Sequence, residues 1–100
     1  MGKAKPVDLG LIQFSSQADA EQFFREMLRR YSNEDHVSKD HSRHLIALLA
    51  RHPSAEKKVG PGIVGFFVRK NPHYHQNEFW IDRIDGSQIG FSYLKCVRGG

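Results

Sequence analysis

Residues 79–97 read Phe79-Trp80-Ile81-Asp82-Arg83-Ile84-Asp85-Gly86-Ser87-Gln88-Ile89-Gly90-Phe91-Ser92-Tyr93-Leu94-Lys95-Cys96-Val97. Aromatic and β-branched residues crowd both ends of this stretch, and turn formers crowd its middle. The pattern predicts a strand over Phe79–Ile84, a tight turn over Asp85–Gln88 and a further strand over Ile89–Val97. Gly86-Ser87 suits a two-residue hairpin turn with glycine at its first central position. Such a turn pairs Ile84 with Ile89, Asp82 with Phe91, Trp80 with Tyr93 and Glu78 with Lys95. Cross-strand partners share a face. One face would therefore carry Trp80, Ile84, Ile89, Phe91 and Tyr93, with Asp82 among them. The other would carry Phe79, Ile81, Leu94 and Cys96, with Arg83, Gly90 and Ser92. The second is compact and apolar at its end and is expected beneath helices, which leaves the aromatic first face for solvent or a ligand.

Upstream the period changes. Ile63–Arg69 is a third β-rich run, joined to the hairpin by the loop Asn71–Gln76. Gly60-Pro61-Gly62 breaks any helix before it. Ala20, Phe23, Phe24, Met27, Leu28 and Tyr31 recur at spacings of three and four, the signature of one apolar helical face. Ser16 with Asp19 resembles a capping box at that helix's start. Ser32–Lys39 is polar and reads as a loop. A second helix starts near Ser38 or Asp40, carries Leu45, Leu48 and Leu49, and stops by His52, because Pro53 pushes its predecessor out of helical geometry. Ser54–Lys58 has room for one more helical turn. The expected fold is α+β: two main helices on a mostly antiparallel sheet ending in a C-terminal β-hairpin. Residues 1–13 are expected as an extended segment, a candidate edge strand, joined to a single domain over 14–98.

One hundred residues make one domain with a modest core. Seven Phe, three Tyr and one Trp in a 39% hydrophobic chain exceed what a disordered segment carries. The single Cys96 can form no internal disulfide, which fits a reducing compartment. No stretch approaches the ~20 apolar residues that span a bilayer, so no membrane role is expected. The charged opening Met1-Gly2-Lys3-Ala4-Lys5-Pro6 lacks a following apolar run, and Pro6 stands where a myristoylation motif needs Ser or Thr. Net charge is +4 with a pI near 9.5, which favours anionic partners.

Catalytic patterns are sparse. His41 and His44 sit three apart on the second helix, His73 and His75 two apart in a loop, and Cys96 alone. Structural zinc sites show tight Cys or His pairs at fixed separation, and none is visible. Asp35, Asp40, Asp82 and Asp85 form no recognisable catalytic pair, and Asp85 is better explained by the turn. Cys96 reads as a buried, unreactive thiol. The basic set is more suggestive: Lys57, Lys58, Arg69, Lys70, Arg83, Lys95 and Arg98 lie in the C-terminal half, interleaved with aromatics. Cations neutralise phosphates, and exposed rings on a sheet stack bases. Most of these aromatics are expected in the core, with one or two of Trp80, Tyr74 and Tyr93 exposed enough to stack.

Three pieces of the chain resemble the small domain family named after the plant Defective Chloroplasts and Leaves protein (DCL). They are Asp40-His41 through Leu48-Leu49 and His52-Pro53 to Lys58-Val59-Gly60 and Gly62-Ile63; Phe66-Phe67-Val68 leading to Phe79-Trp80-Ile81 and Asp85-Gly86; and Phe91-Ser92-Tyr93-Leu94-Lys95-Cys96-Val97. The last is the most specific. The chain departs from the family pattern at Gly90, where an acidic residue is common, and at Leu94. Plant members are linked to ribosomal RNA processing in chloroplasts, and a similar domain ends the largest subunits of plant-specific RNA polymerases. The resemblance implies an α+β fold and an RNA-linked role and brings no catalytic residues. Without a plant-type transit extension, a stand-alone, bacterial, cytoplasmic member is expected.

The functional expectation is a non-catalytic RNA-binding or ribosomal-RNA-processing accessory module without cofactor or metal. Lys57, Lys58, Arg69, Lys70, Arg83 and Lys95 would hold phosphates, and Trp80 or Tyr93 would stack a base. Two alternatives stand beside it. One is a protein-interaction module using the aromatic sheet face as its hot spot. The other, weaker, is a small metal-dependent hydrolase or nuclease using His41 and His44.

Overall fold

A computed structural model describes residues 6–73 and 75–98. Tyr74, named above as a stacking candidate, lies outside them, as do residues 1–5 with the lipidation and signal-peptide readings. In chain order the elements are β1 (Val7–Asp8), β2 (Gln13–Phe14), α1 (Gln17–Arg29), α2 (Lys39–Leu49), α3 (Ala55–Val59), β3 (Ile63–Asn71), β4 (Gln76–Arg83), β5 (Gln88–Phe91) and α4 (Tyr93–Arg98). The fold is α+β, with a two-stranded ribbon β1-β2 and a three-stranded antiparallel sheet β3-β4-β5.

The helix starts follow their caps. Ser16 accepts the Asp19 amide hydrogen at 3.1 Å, and Ser38 accepts that of His41 at 3.2 Å. Each satisfies a donor that the first helical turn leaves free. Helix α1 turns Ala20, Phe24, Met27 and Leu28 inward, and α2 does so with Leu45, Leu48 and Leu49. Both helices lie over the inner sheet face, where Phe66, Val68, Phe79, Ile81 and Phe91 are buried. Helix α2 ends at Leu49, ahead of Pro53, and α3 stops at Gly60, whose φ of 54° lies in the left-handed region.

The C-terminal stretch departs from its sequence reading in two ways. First, Phe79 pairs with Phe91, Trp80 with Gly90 and Ile81 with Ile89. The connection is a longer loop: Arg83 and Ser87 close it, and Asp85 accepts the Ser87 amide hydrogen at 2.9 Å. The Asp85 side chain thus folds the loop as an Asx turn, and Gly86 is the third of the loop residues 84–86, where the expected two-residue turn needs it first. The pairing moves by three residues, an odd number, so Ile89 and Phe91 face inward with Phe79 and Ile81 instead of outward with Trp80. Second, the strand stops at Phe91 and residues 93–98 form α4. Tyr93, Cys96 and Val97 recur at helical spacing, and Cys96 and Val97 are fully buried. The Arg51 guanidinium then donates to the Cys96 and Val97 carbonyls at 3.1 and 2.9 Å, which ties down a helix too short to persist alone.

Candidate nucleic-acid interface

Where α3, the end of the sheet and the start of α4 meet, they enclose an open groove of about 780 Å³. Its wall includes His52, Lys58, Glu78, Trp80, Ser92 and Lys95. Local structure sets each of them. Pro53 ends α2 just beyond His52, so the imidazole stands at the corner between α2 and α3. The Ser54 amide donates to His52 Nδ1 at 2.9 Å, which makes Nδ1 the acceptor and leaves the proton of the neutral ring on Nε2. Arg83 holds α3 against the sheet: it donates through Nε to Ser87 Oγ at 2.7 Å and through Nη1 to the Lys57 carbonyl at 3.1 Å. Gly60 makes room for it, since a Cβ there would lie 2.9 Å from Arg83 Nη1. Lys58 crosses the groove and donates to the Gly90 carbonyl at 2.8 Å. Helix α4 brings Lys95 to the opposite rim.

The electrostatics are one-sided. Burial lowers the Lys58 pKa, and the Lys95 ammonium lowers it further against the opposing pull of Glu78. Burial likewise lowers that of His52, followed by Lys58 and Lys95. Among the described residues neither lysine has a carboxylate within ion-pair distance. Glu78, the one carboxylate on the wall, accepts instead from Asn71 Nδ2 at 3.1 Å. The groove therefore holds two mutually repelling ammonium groups and a neutral imidazole N–H, a donor-rich surface suited to an anion.

Of the eight residues marked from sequence, Lys58, Lys95 and Trp80 come together here. Trp80 presents its edge, not a free ring face. On the outer sheet surface it lies beside Phe67, and the Arg69 guanidinium covers both rings, 5.0 and 4.8 Å from their centres. Arg69 is itself gripped by Glu34 at 2.7 and 3.0 Å and by Gln88 at 3.2 Å. The aromatic sheet face expected to be open is thus roofed by an ion pair. The Trp80 Nε1–H is shielded and has no hydrogen-bond partner among the described residues, while the Trp80 side chain borders the groove. Arg83 is committed to α3. Lys57 is exposed on α3 beside His52, and Lys70 is exposed near the far end of β3. Tyr93 does not face Trp80; it packs edge-on against Phe79 at 6.3 Å and borders a second groove. Sequence reasoning passed over His52 and Ser92 as binding groups, although the His52-Pro53 and Phe91-Ser92 pairs had been singled out.

The histidines proposed for metal chemistry are otherwise engaged. His41 Nδ1 lies 2.6 Å from the Tyr31 hydroxyl, and His44 packs edge-on against Phe23. No group of three metal-ligating side chains forms among the described residues. Cys96 is fully buried, and its thiol pKa is pushed up to about 12 by that burial, in keeping with an inert thiol. No described helix is long and apolar enough to cross a membrane.

Residues 25–97 match the family model described as a protein of unknown function (DUF3223). The chain is 40% identical over 72 residues to the chloroplastic protein DCL homolog of Arabidopsis thaliana, covering 70% of this chain and 33% of that protein. It thus spans about a third of that relative's length. It is 44% identical over 52 residues to DNA-directed RNA polymerase IV subunit 1 of the same plant, covering 52% of this chain and 4% of that one. A solution NMR structure of an uncharacterized protein from Rhodospirillum rubrum superposes with a TM-score of 0.85 at 44% identity, covering 96% of this chain and 91% of that one.

Proposed function

Because the chain belongs to the family described as a protein of unknown function (DUF3223), with homology to the DCL proteins, we propose that it is a non-catalytic RNA-binding module of the cytoplasm. In this reading it grips RNA through the groove of Lys58, Lys95 and His52 and serves as an accessory in ribosomal RNA processing. One observation carries the reading: Lys58, Lys95 and His52 flank a single open groove, and among the described residues neither lysine has a carboxylate within ion-pair distance. A phosphate entering there relieves the repulsion and accepts hydrogen bonds from all three. Lys57 on α3 adds charge at the rim. Arg69, already neutralised by Glu34, contributes structure. The similarity to an RNA polymerase subunit supports a nucleic-acid setting.

The test is fluorescence anisotropy with a labelled single-stranded RNA across a salt series. Each phosphate contact to a single strand contributes about −0.7 to the slope of log affinity against log salt, so Lys58→Gln with Lys95→Gln should flatten it by about 1.4. Binding by the double variant equal to wild type removes the groove from the reading. A protein partner held by apolar contact would instead survive the salt series. Crosslinking from the native cell then asks whether ribosomal RNA precursors are recovered by wild type and lost with the double variant.

A further inference from the structure

The groove of Lys58 and Lys95 has a neighbour. A second groove of about 520 Å³ runs between α1 and the same end of the sheet. The two share a wall: Glu78, Phe91 and Ser92 border both. Arg25 and Arg29 line the far side of the second groove. They stand one helical turn apart on α1, so they share a face. Both are exposed, and among the described residues neither has a carboxylate within ion-pair distance. Tyr93 and Leu94, half-buried, give this groove an apolar stretch, and Gln76 and Asn77 give it amide groups.

We infer that the two grooves form one continuous track for a single-stranded RNA segment, with Arg25 and Arg29 holding phosphates at one end and Lys58 and Lys95 at the other. This rests on the reading of the first groove as a phosphate site. Three features favour a single strand over a duplex. The track bends from α1, round the end of β4 and β5, to α3, and a flexible strand follows a bend that an A-form cylinder does not. The Glu78 carboxylate stands on the shared wall between the cationic ends. It repels a phosphate at that point, so a sugar or base passes there, and Glu78 can accept from a hydroxyl or amino group. Finally, the half-buried Tyr93 side chain on the second groove is a group that meets splayed bases, whose faces and edges a duplex keeps out of reach.

The experiment compares wild type, Arg25→Gln with Arg29→Gln, and Lys58→Gln with Lys95→Gln. Each is titrated with a labelled single-stranded RNA on the order of ten nucleotides and with the same sequence as a duplex. Circular dichroism checks that the substitutions, three at exposed positions and one at the half-buried Lys58, leave the fold intact. The inference expects the arginine pair to flatten the single-strand salt slope by about 1.4, as the lysine pair does, and wild type to prefer the single strand. An unchanged slope in the arginine variant, with a flattened one in the lysine variant, overturns the track and leaves the first groove standing. Equal affinity for the duplex overturns the single-strand assignment. Absence of RNA binding by wild type overturns the groove reading itself, and the track with it.

Discussion

Gly90 lies against the edge of Trp80, and a methyl group added there would sit 3.0 Å from Trp80 Cε2 and 3.2 Å from Glu78 Oε1. The indole cannot retreat, because Phe67 flanks it and Arg69 covers it. Replacing a strand glycine by alanine normally gains about 0.5–1 kcal/mol from chain entropy. Overpacking costs about 1–3 kcal/mol, so Gly90→Ala is expected to destabilise the protein, read as a lower urea midpoint. His52 sets a pH dependence. Its folded pKa lies below the ordinary 6.5, mainly through burial, and that of His41 is lowered for the same leading reason. A base with a depressed folded pKa takes up its proton more readily when unfolded, so stability falls as pH drops below 6.5 and levels off once the folded form protonates too. Urea midpoints measured across that window should show this slope, and His52→Gln should reduce it. The fate of individual cations was only partly legible in the sequence. Lys58 and Lys95, both marked from sequence, border one groove, whereas Arg69 meets Glu34 across 35 positions of chain, a pairing that no local pattern announces.

Among the elements, α1 and α2 were legible: apolar spacing gave their buried faces, Ser16 gave the start of α1, and Ser38, one of two candidates with Asp40, gave that of α2, while Tyr31 falls past the end of α1 at Arg29. Helix α4 was not, because six residues are too few for a helical period to outweigh the aromatic and branched residues beside it. The signal was present in Ser92 followed by Tyr93, Cys96 and Val97. Strand pairing failed at the loop, where Gly86 suggested a shorter turn than Asp85 builds. The site inherits that error, since Tyr93 was expected across from Trp80 and lies in the second groove instead. A consequence for α4 can be measured. Arg51→Gln removes the guanidinium that holds the Cys96 and Val97 carbonyls, and hydrogen bonds from a charged donor contribute about 1.5–3 kcal/mol. The variant should lose stability of that order. Amide exchange should rise first in α4, and because α4 carries Lys95, RNA affinity should fall with it.

At the scale of the molecule, the radius of gyration of 13.3 Å is that of a tightly folded chain of this length, for which ~13 Å is expected. Cys96 reports on this packing. With the thiol fully buried and its pKa at about 12, a disulfide reagent should react only when the chain opens. Its labelling rate should then rise with urea in parallel with unfolding followed by circular dichroism; fast labelling of the native protein would contradict the burial. The outer margin of β3 carries a last consequence. Residues 34–37 lie along it, with Glu34 and Val37 donating to the Val68 and Phe66 carbonyls and Val68 donating to Asp35. The sheet is thereby hemmed by its own loop at 66–68, and a second copy finds no open backbone there to zip onto. A proline at Val37 would unpick the hem, and fibrous self-association would gain the foothold that the native chain denies it.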